Sequence, residues 1–268
     1  MGKLFYNLLS GKVLKPKEKN VLKNMEIFVI DNVTEYVNEN TQKLLTIDDL
    51  PNIKPPFKSM FVETNSPKFI LDEKSNKTGW PWNYGLKWGY YVFYTETEKN
   101  IIIHIIEYSL YQKSKQRPNF TYTKKSPSWY IKLTKNGKPQ KDGLYKNTRK
   151  GKKLKYEKLM PLLYSLALMN CGNIEYIENS NTKIKNRDNK RKGICYKTLK
   201  VNPMAEATQT KSKNNAGNKN PLHVCRGHFK DYRKKGLFGK YKGIYWWDSQ
   251  VRGNAEIGEV KKDYEIVV

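Results

Sequence analysis

The chain has 268 residues and a net charge of +26 at pH 7, from 51 basic and 25 acidic side chains, with 38% hydrophobic and 13% aromatic residues. That aromatic content excludes a wholly disordered chain, and the length allows one large domain or two small ones with polar inserts. No apolar run approaches the roughly 20 residues that cross a bilayer, and three scattered cysteines, Cys171, Cys195 and Cys225, argue against a disulfide framework and for a reducing compartment.

The first residues, "MGKLFYNLLSGKVLKPKEKN", hold only a short apolar patch and no small-residue cleavage site. No signal peptide and no membrane partner are expected, and the location expected is cytoplasmic. A charge this large favours polyanion partners, nucleic acid first. Part of it has a blander source. Lysine, asparagine, isoleucine and tyrosine all have A/T-rich codons, so a low-GC genome raises them together.

From Lys17 to Asn38, Val21, Leu22, Met25, Phe28, Val29, Val33, Tyr36 and Val37 recur at three and four, which predicts one amphipathic helix. Residues 40–58 read as loop. Their prolines place the start of a short apolar strand after Pro56. "KWGYYVFY" and "NIIIHIIEYSL", joined by "TETEKN", predict a hairpin whose second strand is buried on both faces. His104, inside that run, reads as a hydrogen-bonded core residue. "SWYIKLTKNGKP" predicts a further strand ending in an Asn-Gly turn.

"YEKLMPLLYSLALMN" predicts a second helix starting near Glu157 or later, with Pro161 in its first turn and Gly172 as its C-terminal cap. Its stripe is Leu159, Leu162, Leu163, Leu166 and Ala167. Residues 179–221 form a polar, basic insert, mobile apart from one short strand over 194–201. Residues 222–268 form a C-terminal β motif, with "GEVKKDYEIVV" as a last strand. The fold class expected is α+β: one mixed or antiparallel sheet that includes the C-terminal strands, two main helices packed on it, and the mobile insert. Residues 1–178 and 222–268 are expected to share one domain, whose first and last strands can meet.

The chemistry concentrates in "LHVCRGHFKDYRKKGLFGKYKGIYWWDSQVRG", residues 222–253. It lacks the lysine-hydroxyl ending and the strand-loop-helix setting of a phosphate-binding loop. His223, Cys225 and His228, with Cys195 at a distance, do not make a four-ligand set, so neither metal nor cofactor is expected. Cys225 reads as a small buried hydrophobe.

Metal-independent RNA cleavage needs a base, an acid and cations on the crowded phosphate. His223 or His228 could serve as the base or acid, Arg226 and Arg252 could grip phosphate through paired N–H donors, and Lys230 and Tyr232 could assist. The competing account is a basic turn whose histidines satisfy backbone groups. Strand alternation across Tyr245, Trp246 and Trp247 sends at least one ring outward. An open Trp247 beside Lys240, Lys242 and Arg252 would stack single-stranded bases, unless a loop covers it.

The succession "LHVCRGHFKDY", "GLFGKYKGIYWW", "VRG" and "GEVKKDYEIV" resembles the C-terminal signature of a group of phage and mobile-element proteins, identified with a type V-A anti-CRISPR family. "PPFKSMFVE", "LLYSLALMNCGNIEYIE" and "ICYKTLKV" are similar to the same group, in the same order. The resemblance is best over residues 222–268 and poor over 1–50 and 200–220. It implies a protein that recognises the N-terminal segment of a Cas nuclease as it is made and lowers the corresponding message. Its partners would then be RNA or the translating ribosome and a nascent peptide. No residue is assigned to the peptide. Three readings result: a counter-defence protein acting at the RNA or translation level, a basic nucleic-acid-binding module without chemistry, and a ribonuclease unrelated to defence.

Overall fold

The structure is a computed structural model that describes residues 3–40, 47–65, 84–114, 117–126, 128–146, 159–181, 194–202, 221–225, 227–237, 239–252 and 254–259. The chain divides into two compact units. The first comprises Met1–Asn170 and Glu175–Lys200, the second Cys171–Ile174 and Val201–Val268. Among the described residues no helix is long and apolar enough to cross a membrane.

The first unit is α+β. Its elements are α1 (Lys3–Ser10), α2 (Pro16–Lys23), β1 (Glu26–Val29), α3 (Asp31–Asn40), β2 (Ser59–Asn65), β3 (Tyr84–Glu96), β4 (Asn100–Ser114), β5 (Arg117–Lys125), β6 (Trp129–Thr134), β7 (Pro139–Lys146), α4 (Met160–Met169), β8 (Ile174–Asn181) and β9 (Ile194–Val201). They build a nine-stranded mixed sheet of order β7-β6-β4-β3-β2-β1-β9-β8. β1 runs parallel to both β2 and β9. β2–β3, β3–β4, β4–β6 and β6–β7 are antiparallel. β4 is long enough to pair β6 along Asn100–Ile105 and β5 along Tyr108–Ser114.

The single helix expected over 17–38 is instead helix, strand, helix. Pro16 opens α2, and the Lys15 N–H donates to Glu18 Oε2 at 2.9 Å. Ile27, Phe28, Val29 and Ile30 are then buried in succession. A strand between two parallel neighbours, covered on both sides, demands such an unbroken apolar run. The three-and-four spacing arises because the strand's apolar residues happen to continue the stripes of the helices around it.

The hairpin β3–β4 and the strand β6 form where expected. Gly137, at φ 79, makes the Asn136-Gly137 turn into β7. Burial of β4 on both faces holds only in part. Ile101, Ile103 and Ile105 are fully buried, whereas Ile102, His104 and Ile106 are half-buried. His104 is hydrogen-bonded, its Nε2 lying 3.2 Å from Thr95 Oγ1, but it stands on the half-open face, not in the core.

α4 carries Pro161 in its first turn and is buried on every side, not along one stripe. Gly172 does not cap it. The helix closes at Asn170, whose Nδ2 donates to Leu166 O at 2.7 Å and to Lys54 O at 2.9 Å.

Helices cover both faces of the sheet. α1 and α2 pack Leu4, Phe5, Leu8 and Leu22 over Phe61, Tyr108 and Leu110. α3 packs against α4 and β2, with the Tyr36 and Tyr164 rings 5.7 Å apart. Glu63 lies fully buried under α1, where the Phe5 N–H donates to its Oε2 at 3.1 Å. Burial raises this carboxyl above the ordinary range, although the Phe5 N–H and Lys87 favour its charge.

Among the described residues the C-terminal strands do not join the large sheet, contrary to expectation. In the second unit β10 (Pro221–Cys225) lies between β13 (Gln250–Arg252), antiparallel, and β14 (Asn254–Glu259), parallel. β11 (His228–Asp231) and β12 (Ile244–Trp247) form a separate antiparallel ribbon. All five strands lie within residues 221–259, so these pairings close shorter loops than a return to the large sheet would. β1 is flanked by β2 and β9. β9 appears where a strand was expected inside the insert. The rest of that insert, 182–193 and 203–220, lies outside the described residues, as does 260–268 of the expected last strand.

Candidate nucleic-acid interface

β11 and β12 pair in the register His228↔Trp247, Phe229↔Trp246, Lys230↔Tyr245 and Asp231↔Ile244. Alternation therefore puts His228 and Lys230 on one face with Tyr245 and Trp247, and Phe229 and Trp246 on the other. Lys230 Nζ lies 4.3 Å from the Trp247 ring centroid, a cation–π contact. Tyr232 continues the first face, its ring 6.1 Å from that of Tyr245, while its N–H donates to Gly243 O at 2.7 Å. On the second face the Phe229 and Trp246 rings are 4.9 Å apart.

The ribbon's outer edge is held in an unusual way. The Gly172 N–H donates to Ile244 O at 2.8 Å, and Cys171 forms a parallel bridge with Ile244. One step on, the side-chain amide of Asn173 takes the place of a peptide group. Its Oδ1 accepts from the Trp246 N–H at 2.9 Å, and its Nδ2 donates to Trp246 O at 2.8 Å and to Asn202 O at 3.0 Å. The segment Cys171–Ile174 is thus a surrogate third strand.

The turn from Tyr232 to Gly243 needs two glycines at positive φ, Gly239 at 70° and Gly243 at 139°. Leu237 and Tyr241 bridge across it. From His228 to Trp247 the sequence carries six cations against one carboxylate, Asp231. Asp231 is paired with Arg233, whose hydrogen bond holds the carboxyl below its usual range. Lys234, Lys235, Lys240 and Lys242 are exposed and make no ion pair among the described residues. Tyr241, between the last two, is 39% exposed. Its ring stands nearly perpendicular to that of Tyr245, centroids 6.2 Å apart.

The expected sites fare unevenly. His228, Lys230 and Tyr232 share one face, with His228 exposed. His223 and Arg252 are register partners across β10 and β13, but their side chains lie outside the described residues, as does Arg226 altogether. Lys240 and Lys242 are exposed in the turn. Trp247 is not an open ring. Tyr245, Trp246 and Trp247 are all buried, Trp247 at 8% exposure beneath Lys230. Alternation holds, yet both ribbon faces are covered. Among the described aromatic residues of the stretch the exposed ring is Tyr241, whose signal, a tyrosine between lysines and glycines in "GKYKG", belongs to the turn and not to the strand.

Among the described residues no group of three or more His, Cys, Asp or Glu is placed to hold a metal ion. The turn offers ammonium groups to phosphates and one ring face to a base, with an imidazole on the adjoining strand. No protein-family model, curated protein or solved structure matches the chain.

Proposed function

We propose that this protein binds RNA through the lysine-rich turn of its second unit, and that it is a mobile-element counter-defence protein reducing a host nuclease at the message or translation level. The observation that carries the binding reading is the exposed Tyr241 ring flanked by exposed Lys240 and Lys242, with Lys234 and Lys235 in the same turn. Aromatic faces stack bases, and the ammonium groups track the backbone. The counter-defence role is supported by the resemblance of residues 222–268 to the type V-A anti-CRISPR group, and a nascent Cas peptide would select the message.

RNA affinity measured against salt tests the binding. Each phosphate contact on a single strand adds about 0.7 to the slope of log K on log salt. Replacing Lys240 and Lys242 by Gln should lower that slope by about one to one and a half; an unchanged slope refutes the turn as the site. Co-expression with a type V-A nuclease gene, reading transcript and protein together, tests the role. Loss of protein without loss of transcript points to translational block. His228 on the β11 face supports a second reading, message cleavage. His228→Ala would then stop transcript loss while RNA affinity stays within a few-fold.

A further inference from the structure

The first unit carries a second aromatic feature that the turn does not explain. In direct register across four strands stand Ser59 of β2, Phe93 of β3, His104 of β4 and Tyr130 of β6, with Tyr145 of β7 next in line. The Phe93 and His104 rings are stacked, centroids 4.6 Å apart and planes 7° from parallel. Tyr91, two residues along β3, has its ring 5.2 Å from Phe93. Tyr130 is 37% exposed, and Phe93 and His104 are half-buried.

α1 and α2 cover this same face only as far as Tyr91 and Ile106, which they partly bury. Beyond that margin, the alternating positions of a half-solvated antiparallel sheet ordinarily carry polar side chains. Here they carry Phe93, His104, Tyr130 and Ile102. The neighbouring row is Thr95, Ile102 and Lys132. The chain has 25 carboxylates, yet neither row contains one, and Lys132 is the one charged residue in them. A polyanion meets no carboxylate in these two rows, and the Phe93–His104 pair, whose inner ring faces cover each other, has only outer faces and edges to offer a base.

We propose that this open face of the large sheet is a stacking platform for single-stranded RNA, with the Phe93–His104 stack and Tyr130 as its two base contacts. Base stacking on aromatic side chains tolerates sequence but requires unpaired bases. The platform therefore selects single strands, whereas the lysine turn of the second unit reads phosphate charge. The platform rests on the proposed RNA function only in the identity of its ligand.

The test uses the full chain with a single-stranded RNA 12-mer carrying 2-aminopurine, the same sequence as a duplex, and the same oligomer with abasic sites. Wild type should quench 2-aminopurine in the single strand only. Tyr130→Ser, at an exposed position, should weaken single-strand affinity at least fivefold and leave the abasic oligomer and the salt slope unchanged. Phe93→Ala should do the same if circular dichroism shows it folded; Tyr130→Ser decides if it is not. Absence of quenching, or equal preference for single strand over duplex in wild type and Tyr130→Ser, overturns the platform. The Lys240→Gln, Lys242→Gln variant separates the two sites: it should change the salt slope and leave the quenching intact. An unchanged slope with quenching intact refutes the turn and supports the platform.

Discussion

Asn173→Ala is the sharpest test of how the second unit is held. Asn173 is 7% exposed, and its amide makes a reciprocal pair of hydrogen bonds with the backbone of Trp246 plus a third to Asn202 O. Alanine removes all three and leaves the Trp246 N–H and carbonyl facing a space the methyl cannot serve. Each lost bond is worth about 1 kcal/mol net, and each orphaned buried group costs about 1–3 kcal/mol. Partial access by water reduces the second contribution, so a loss of about 3 kcal/mol is expected. That is a large part of the roughly 5–15 kcal/mol that holds a domain together.

Urea unfolding followed by tryptophan fluorescence reads this directly, because Trp246 and Trp247 lie in the ribbon. The midpoint should fall with little change in slope. RNA affinity should fall as well, since the turn that presents Tyr241 and its lysines is carried by β12. A loss below 1 kcal/mol would show that the peptide-like pairing is replaceable by solvent, and the surrogate-strand account would be wrong.

Two other substitutions probe the first unit. In Gly89→Ala the added Cβ would come 2.6 Å from Phe61 Cζ and 2.7 Å from Leu4 Cδ2. Overpacking of this kind costs about 1–3 kcal/mol, and thermal unfolding should show it; an unchanged midpoint would mean α1 does not press on the sheet. Glu63 has a folded-state pKa raised by burial, so the folded chain keeps this proton to higher pH than the unfolded chain does. Its favourable contribution is full below about 4.5 and is lost as pH rises through the raised folded value. Glu63→Gln should flatten the decline of stability with pH in that window. Parallel pH profiles for the two proteins would refute the assignment.

The candidate site was legible as chemistry and not as geometry. Eight cations, two histidines and three adjacent aromatic residues mark residues 222–253 in the sequence. Which ring is open depends on what packs above and below the ribbon. Alternation predicts opposite directions for Trp246 and Trp247 but cannot say that Phe229 closes one face and Lys230 the other. Nor does anything in the chain announce that Asn173, more than 70 residues before Trp246, replaces a strand. Side-chain mimicry of a backbone has no periodicity to read.

By itself, then, the sequence determined the α+β class, the β3–β4 hairpin, the turn at Gly137 and the place of α4 with Pro161 in its first turn, because these follow from local periodicity and backbone preference. It also determined the basic, glycine-punctuated turn, since charge and conformational freedom belong to single residues. Tertiary structure decided the rest. It broke the 17–38 helix, because a parallel strand between β2 and β9 gains more by burying Ile27–Val29 on both sides than a helix gains from one stripe. It separated the C-terminal strands from the large sheet. It also set Tyr130 beside the Phe93–His104 pair, since the pairing of β6 with β4 and its register are properties of the assembled sheet.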